Sequence, residues 1–480
     1  MFPFKMIGAT AEFLFKRRVL TSHEGAEWAS KREIEKFLSS RNRGLLLDGD
    51  SLRLSEEESF QNVCVIARVG AGKTSQYIIP NVLDKARSNC SLVVNDPKGE
   101  IYEKTAATMA ANGYRLIVID PENPNGSNCF NPLAEARNGV ELEQIAEIII
   151  KAGLPNDKDP FWSLGAIRLV TALLKCLKNA GKENPAYFNL ANLTALLQNF
   201  GKAGEALQAF AVKYSVDPDD PTDWTLWKEW RGALTGNEEG IQSFVLNALT
   251  ALRITTNPNV ARITARSDFD LSEIRQKKTV IYFITPPQLM GYYAPLISMF
   301  FRSVFNACMR TLPAKGALPV YILYDEFGHS VIPHFSAVAN TLRGYKASLS
   351  IVLQSVAQLE ARYGKSDAAT ILGGFNTLVA YSASDPQTAE FFSQIIGRIR
   401  ERVREDYNSL HEHIHEHELM LSNEVRTIAE NEAIIVSRNR NPIKTRTVRY
   451  FENRTFARAA TKKPTTLPSR PLPPVELVKY

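Results

Sequence analysis

The sequence predicts an α/β fold class: a mainly parallel β-sheet into which an all-α domain is inserted. Three observations support this prediction. Before residue 140, short apolar runs bounded by turn residues alternate with helical stretches, as in parallel strands joined by helices. From about residue 140 to 250 the helical period dominates. After residue 251 the strand–helix rhythm returns, so two sheet-forming parts bracket the helical one.

The bulk composition is that of a globular protein with more than one hydrophobic core. The chain has 480 residues, of which 44% are hydrophobic and 22% are charged, so extensive disorder is excluded. The net charge of +6 permits a polyanionic partner but does not require one. The five cysteines form no CxxC pair, which excludes a zinc or disulfide framework and is typical of reduced cytosolic proteins.

Five segments are predicted along the chain. They are a polar, helical lead-in (1–44), the first part of the sheet domain (45–140), the inserted all-α domain (141–250), the second part of the sheet domain (251–455) and a Pro-rich flexible tail (456–480).

Strands and helices alternate in both sheet-forming parts. Strands are predicted at 63–66, 91–95, 114–119, 279–284, 320–324, 349–353 and 377–381, with a closing pair at 432–435 and 445–451. A helix is predicted from residue 73 to about 86, and Pro80 should kink it because proline lacks the N–H that a helix interior uses.

A glycine-rich turn between the first strand and this helix is the first candidate site. Glycines let backbone N–H groups approach phosphates closely, a lysine reaches the β- and γ-phosphates, and a threonine hydroxyl can bind Mg²⁺. Ala67 stands where the usual motif has its first glycine, and a surface glycine turn before a helix is the alternative interpretation. The predicted nucleotide-binding residues are Gly70, Ala71, Gly72, Lys73, Thr74 and Ser75.

Two acidic residues follow the apolar strand at 320–324. Asp325 is predicted to bind Mg²⁺ together with Thr74, and Glu326 to polarise the attacking water. A glutamate directly after the aspartate favours a motor ATPase over a GTPase switch. A strand that ends in an acidic helix cap is the alternative. The expected cofactors are therefore ATP and Mg²⁺.

Gln354 ends the next strand, where ligands of parallel sheets bind. It is predicted to sense the γ-phosphate, and the alternative is a glutamine that caps a helix.

Several separate stretches resemble one known family, the type IV secretion coupling proteins, which are conjugative DNA-transfer ATPases. The resemblance runs from about residue 24 to 451. It is carried by Glu24-Gly25-Ala26-Glu27-Trp28-Ala29, Asn95-Asp96-Pro97-Lys98-Gly99-Glu100, Asn131-Pro132-Leu133, Phe161-Trp162, Asp268-Phe269-Asp270-Leu271, Asp325-Glu326-Phe327-Gly328, Leu353-Gln354-Ser355 and Ser384-Asp385 with Thr388-Ala389.

This resemblance implies a RecA-like P-loop ATPase domain with an inserted all-α domain, assembled as a homo-hexamer with ATP between subunits. It implies that single-stranded DNA of a relaxosome, or a protein substrate, is driven to the components of a secretion channel. Arg343 is the implied arginine finger, and joins Lys73, Glu326 and Gln354 as a catalytic residue; a solvated helix-end arginine is the alternative. Asp96 and Lys98 are implied near the phosphates, with a structural Asp–Lys pair as the alternative.

The chain departs from this family at its beginning. Most members start with two transmembrane helices, whereas no window here approaches the roughly 18 uninterrupted apolar residues that a span needs. A cytoplasmic protein is expected, with a peripheral position at the cytoplasmic face of the cell membrane and a small membrane partner as further expectations. The alternatives are that the chain is a shortened form of such a protein, or that the protein functions away from a secretion channel.

Four histidines between His411 and His417 are unusual. On a strand, their alternation would place them on one side, where they could bind a metal ion. On a helix, they would form pairs four residues apart. The third alternative is a solvated surface segment. The nearby Arg398, Arg400, Arg402 and Arg404 could face DNA or form helical salt bridges to Glu401 and Glu405.

Two rival functions remain open. The chain could be an adaptor that recruits substrates through the helical insertion and the Pro-rich tail, with ATP as an assembly switch. It could also be a double-stranded DNA translocase or helicase of the same superfamily.

Overall fold

The computed structural model describes residues 19–154, 160–200, 204–217, 219–382, 385–404, 412–462, 469, 471–472 and 474–479. The predicted lead-in before residue 19 lies outside these residues, as do Ser384, Glu405 and His411.

The strands of the described residues form two sheets. In chain order they are β1 (Val19–Gly25), β2 (Val63–Ile66), β3 (Ser91–Asp96), β4 (Arg115–Ile119), β5 (Thr279–Ile284), β6 (Val320–Tyr324), β7 (Ala347–Leu353), β8 (Thr377–Ala380), β9 (Arg398–Arg404), β10 (Glu412–Glu418), β11 (Glu432–Ser437) and β12 (Ile443–Arg446). A nine-stranded sheet has the order β12-β11-β8-β2-β7-β6-β3-β5-β4, and β1, β9 and β10 form a separate sheet.

The large sheet is mainly parallel, which confirms the predicted fold class. Its seven strands from β4 to β8 in the sheet order are parallel, and only β11 and β12 pair antiparallel at one edge. β2, β3, β6 and β7 are buried along their whole length, as expected for strands covered on both faces. The residues of β2 alternate between two cores, with Cys64 and Ile66 in one and Val63 and Val65 in the other.

Helices cover both faces of this sheet. The first helices are α1 (Lys31–Phe37), α2 (Glu56–Ser59), α3 (Ile79–Lys85) and α4 (Glu100–Ala111), and those of the second part are α12 (Met290–Met309), α13 (Phe335–Thr341), α14 (Val356–Tyr363), α15 (Lys365–Gly373), α16 (Pro386–Ile396), α17 (Ser422–Arg426) and α18 (Arg454–Ala460). The single kinked helix predicted from residue 73 is instead a π-helical turn, Thr74–Ile78, followed by α3. Pro80 lies in the first turn of α3, where its missing N–H is tolerated.

The inserted helices lie between β4 and β5, which are neighbours in the sheet. They are α5 (Gly139–Gly153), α6 (Pro160–Glu183), α7 (Leu190–Gln198), α8 (Gly204–Tyr214), α9 (Thr225–Ala233), α10 (Glu238–Ala251) and α11 (Pro258–Ile263). Their buried side chains belong to the same core as those of α12 on one face of the sheet. The domain boundaries at residues 140 and 250 stay predictions.

One helix of the described residues, α6, is long and apolar enough by length and composition to cross a membrane. Half of its most apolar window is buried inside the protein. Such burial is also found in the central helix of a helical domain.

The small sheet corrects two predictions. Residues 19–25 form a strand, not part of a helical lead-in, because β1 pairs antiparallel with β9. The arginine-rich segment is also a strand, in which Arg398, Arg400 and Arg402 form ion pairs with glutamates of β10 and with Glu24. These three arginines therefore pair with glutamates across the sheet and not with helical neighbours.

The histidine segment lies in β10, where His413, His415 and His417 stand opposite Val403, Glu401 and Ile399. No group of three or more His, Cys, Asp or Glu side chains in the described part of the chain could hold a metal ion. The metal interpretation of these histidines therefore has no support from the described side chains.

The end of the chain departs from a flexible tail. Residues 456–460 are helical within α18, which contacts α4 through a 2.8 Å hydrogen bond from Thr108 Oγ1 to the carbonyl of Ala459. Further on, Glu476 and Val478 hydrogen-bond to Asn192 of α7. The prolines are visible in the sequence, but the surfaces that the residues before and after them contact are not.

Candidate functional site

The candidate site lies at the carboxyl edge of four adjacent parallel strands, β2, β7, β6 and β3. Because these strands run in the same direction, the residues that follow them converge at one edge. This edge brings the glycine-rich turn after β2 close to Gln354, Asp325, Glu326 and Asp96.

The glycine-rich turn has the backbone that phosphate binding requires. Gly70 and Gly72 have φ angles of 79° and 85°, in the left-handed region that favours glycine. A Cβ on Gly72 would stand 2.6 Å from Nε2 of Gln76, so no larger residue fits without displacing that amide. Lys73 is 6% exposed, and its Nζ donates to the carbonyl of Ala67 at 3.2 Å.

Thr74 and Asp325 are in direct contact. The Thr74 hydroxyl donates to Oδ2 of Asp325 at 2.9 Å, and the other carboxylate oxygen accepts from the N–H of Glu326 at 3.0 Å. Nδ2 of Asn95 donates to the carbonyl of Asp325 at 2.7 Å, which anchors the end of β6 to β3. The predicted metal ligands are therefore adjacent, in a fixed geometry.

Glu326 is held by several side chains. Its Oε1 lies 3.6 Å from Nζ of Lys73, its Oε2 accepts from Nε2 of Gln354 at 2.8 Å, and Nε2 of His329 lies 3.7 Å from Oε2. Its φ of 53° is uncommon for a glutamate. The structure thus places Gln354 on the predicted catalytic carboxylate, and its role as a γ-phosphate sensor stays a prediction.

Burial raises the pKa of Asp325 to about 6, and the neighbouring charge of Glu326 adds to this effect. Burial likewise raises the pKa of Asp96 to about 6, and the charge of Asp325 contributes in the same direction. Both carboxylates are therefore held in a setting that disfavours their charge in the absence of a cation.

Asp96 also caps the turn that leads into α4. Its Oδ2 accepts from the N–H of Tyr102 at 2.8 Å, and its Oδ1 from the N–H of Lys98 at 3.4 Å. The Lys98 side chain is exposed and forms no ion pair within the described residues. The alternative interpretation, a structural Asp–Lys pair, is thus absent from these residues, and contact of Lys98 with phosphate stays a prediction.

Ser75 contacts its own turn and the end of the chain. Its hydroxyl donates to the carbonyl of Gly72 at 3.1 Å, and its carbonyl accepts from the N–H of Tyr450 at 2.8 Å. Arg68 reaches Glu430 at 3.6 Å. The segments around Glu430 and Tyr450 therefore border the glycine-rich turn, which no local sequence signal indicated.

Two further residues of the site escaped prediction. The resemblance assigns no role to Asn95, although an amide beside an aspartate at a strand end is a usable signal. His329 follows Glu326 by three residues, and that spacing is the signal that could have identified it.

Arg343 does not join this edge. It is exposed in the 3₁₀ turn Leu342–Tyr345, directly before β7, and has no partner among the described residues. The seven residues of β7 separate it from Gln354, which at 3.3 Å per residue is about 23 Å. Arg343 therefore lies at the opposite edge of the sheet from its own chain's candidate site.

The residues fit a magnesium nucleotide. A hydroxyl and a carboxylate are the hard oxygen donors that Mg²⁺ takes, usually one or two together with water and phosphate oxygens. The left-handed glycines leave the turn open to an anion, and Lys73 supplies the positive charge.

The chain is similar to several known proteins. The profile of the family described as "Type IV secretory system Conjugative DNA transfer" matches residues 20–471. "Protein VirD4" of Rhizobium radiobacter is 25% identical over 428 residues, covering 84% of this chain and 59% of that protein. "Conjugal transfer protein TraG" of Escherichia coli is 24% identical over 422 residues, covering 78% of this chain and 64% of that protein.

Solved structures show the same fold. The unbound conjugative coupling protein TrwBdeltaN70 superposes with a TM-score of 0.69 at 15% identity, over 89% of this chain and 94% of that one. TrwB in complex with ADP and Mg²⁺ has a TM-score of 0.67 at 16% identity, over 88% and 94% of the two chains. The chain spans about three fifths of the length of the first VirD4 relatives it matches, at 59%.

Replacing Asp325 by Asn should stabilise the ligand-free protein above pH 6. The raised pKa means that the folded protein binds a proton more readily than the unfolded chain, so this aspartate lowers stability as pH rises from about 4 to above 6. Asp325→Asn removes that effect, and we expect a gain of about 1–3 kcal/mol in the free energy of unfolding at pH 8. Urea unfolding at pH 8 and pH 4 measures it.

The gain should disappear at pH 4, where the folded protein holds Asp325 protonated. Asp367→Asn, at an exposed position on α15, is the matched control and should change the free energy of unfolding by less than about 0.5 kcal/mol at either pH. A destabilised Asp325→Asn protein at pH 8 would contradict the burial of a charged carboxylate.

Proposed function

The chain belongs to the type IV secretory conjugative DNA-transfer family, and we propose that it is an ATP-hydrolysing coupling protein. In this proposal it recruits single-stranded DNA of a relaxosome, and protein substrates, and drives them to the components of a type IV secretion channel. The observation that carries the proposal is the contact of Thr74 with Asp325, next to the contact of Lys73 with Glu326.

Each of these residues has a defined task. Lys73 neutralises the β- and γ-phosphates of ATP, and Thr74 with Asp325 holds Mg²⁺. Glu326 orients the attacking water and accepts its proton. The complex of TrwB with ADP and Mg²⁺, which shares the fold, supports this choice of ligand.

Glu326 must exchange partners during such a cycle. Lys73, Gln354 and His329 contact its carboxylate, whose side chain is 23% exposed, so a water molecule that binds this carboxylate competes with these contacts. When Lys73 moves towards a phosphate, its contact with the Glu326 carboxylate is lost. Binding of nucleotide and activation of Glu326 are thereby coupled.

A homo-hexamer completes the site in this proposal. Arg343 lies at the edge of the sheet opposite its own phosphate-binding turn and is exposed. An arginine in that position serves a nucleotide only on a neighbouring subunit, as arginine fingers do in trans.

The proposed location is the cytoplasm, with a peripheral position at the cytoplasmic face of the cell membrane. The family description names a secretory system, and export of a substrate requires passage through the cell membrane, so we place the contact with the channel at the membrane surface. A small membrane protein is the proposed partner for that attachment.

A second candidate function is that of an adaptor in which ATP acts as an assembly switch. One observation favours it: an aromatic cluster on the helical domain is accessible. Phe161 is 60% exposed and its ring centroid lies 5.1 Å from that of Trp162 and 5.7 Å from that of Phe244. Exposed aromatic groups of this kind are common in protein interfaces.

Glu326→Gln should retain nucleotide binding and lose hydrolysis. Because the amide cannot accept the proton of water, we expect turnover to fall by about 10²–10³-fold. Lys73→Ala should abolish turnover and weaken nucleotide binding, with the circular dichroism spectrum unchanged. Phosphate release and binding of a fluorescent ATP analogue measure the two effects.

Glu143→Gln, at an exposed position on α5, is the control and should hydrolyse ATP at the normal rate. Normal hydrolysis by Glu326→Gln would remove this residue from the mechanism. DNA transfer supported by Glu326→Gln in cells would favour the adaptor over the motor.

Single-stranded DNA should stimulate ATP turnover, and salt should weaken the stimulation steeply. Contacts to phosphates release counterions, so the logarithm of affinity should fall with the logarithm of salt by about 0.7 per phosphate contact. Turnover with oligonucleotides of several lengths, at several salt concentrations, measures this. Turnover that ignores DNA at every length and salt would contradict a DNA motor, and stimulation by duplex DNA alone would favour the translocase.

Two inactive variants should restore activity when mixed if Arg343 acts on a neighbouring subunit. An Arg343→Ala subunit has an intact Glu326, and a Glu326→Gln subunit has an intact Arg343, so one type of interface in a mixed ring is complete. We expect the mixture to hydrolyse ATP at least about tenfold faster than either variant alone.

Arg87→Ala, another exposed arginine, is the control and should be active by itself. If the mixture hydrolyses ATP no faster than either variant, although mass measurements verify that the subunits exchange, Arg343 does not act on a neighbouring subunit and is a solvated surface residue.

A further inference from the structure

The buried Asn192 of α7 binds the main chain of the C-terminal segment. It is 1% exposed, its Nδ2 donates to the carbonyl of Glu476 at 2.9 Å, and its Oδ1 accepts from the N–H of Val478 at 2.8 Å. The second N–H of Nδ2 is donated to the carbonyl of Tyr187 at 2.9 Å. Every N–H of this amide is thus used, and two of its contacts are to the tail.

The spacing of the two tail contacts is that of a parallel β-ladder. In extended chain, the carbonyl of one residue and the N–H of the second residue after it point to the same side. A residue of a neighbouring parallel strand bonds both groups, and the Asn192 amide does so with its side chain. Such contacts hold any extended segment, whatever its side chains.

Side chains of the segment add selectivity. Val478 is 7% exposed and lies in the core shared by the helical domain, whereas Leu477 is 52% exposed. Oε2 of Glu476 accepts from Nδ2 of Asn184 at 3.1 Å. The pattern recognised is therefore an extended segment with an apolar residue two positions after the bonded carbonyl.

We propose that α7 carries a binding site for extended peptide segments, that residues 474–479 occupy it in the same chain, and that a segment of a transferred protein displaces them. That the displacing partner is a transferred protein rests on the proposed function. The existence of the peptide-binding site does not depend on that function. It deepens the coupling role by naming the kind of signal that the helical domain recognises.

Residues 474–479 of the same chain compete with any other segment for the site, and this competition makes the site selective. A tethered segment has an effective concentration of about millimolar, so a free peptide of equal affinity displaces it poorly. Loss of the tail removes two of the three hydrogen-bond partners of the Asn192 amide, which is unfavourable, so the site favours an occupied state. A displacing segment must therefore match the pattern and be held by further contacts of its own protein.

The test measures binding of a fluorescein-labelled peptide of residues 471–480 by fluorescence anisotropy, without nucleotide. The acceptors are the full chain and its Val478→Asp variant, whose own segment should leave the site. We expect the Val478→Asp chain to bind the peptide at least about tenfold more tightly than the unchanged chain. Adding Asn192→Leu to that variant should remove the gain.

Matched controls distinguish binding at this site from nonspecific binding of the peptide. Asn199→Ala, an exposed position at the end of α7, should leave binding unchanged, and the peptide should tolerate Leu477→Ala but not Val478→Asp. Equal binding by the Val478→Asp chain and the unchanged chain, with both folded by circular dichroism, would overturn the proposal. So would a peptide carrying Val478→Asp that binds as well as the original, and either result would leave the ATPase proposal intact.

Discussion

The hydrogen bond between Thr74 and Asp325 depends on the order of the strands that carry them. Thr74 follows β2 and Asp325 follows β6, and β7 lies between these strands. The contact can form only if all three strands are parallel and their carboxyl ends are level. The other residues of the site also depend on parallel strands that end at the same level. Gln354 follows β7, and Asn95 and Asp96 end β3, on the other side of β6.

Buried asparagine amides connect parts of the chain that regular secondary structure does not. Asn81 bonds both the N–H and the carbonyl of Leu46, Asn62 joins Leu349 of β7 to the carbonyl of Ala339 at the end of α13, and Asn95 fixes the chain at Asp325. Asn192 does the same for the tail. Each amide satisfies main-chain groups that would otherwise be buried without partners, so it defines one arrangement of its neighbours.

The fold class and the centre of the site could be predicted because their signals are local. Apolar runs identify the buried strands, and the glycine turn and the Asp325–Glu326 pair each lie within a few residues of a strand end. The pairing of β1 with β9 could not be predicted, since it joins the main chains of segments hundreds of residues apart and neither segment carries a local signal for its partner. The contacts of the tail with Asn192 are likewise set by tertiary neighbours that periodicity does not encode.

The helical domain is attached through neighbouring strands, since the chain leaves the sheet after β4 and returns at β5. The inserted domain is therefore connected to the sheet at two neighbouring strands that are hydrogen-bonded to each other. β5 pairs along its length with β3, and the N–H of Thr285, directly after β5, donates to the carbonyl of Asp96. A displacement of the insertion would therefore reach β3, the strand that ends in Asp96, through a single intervening strand.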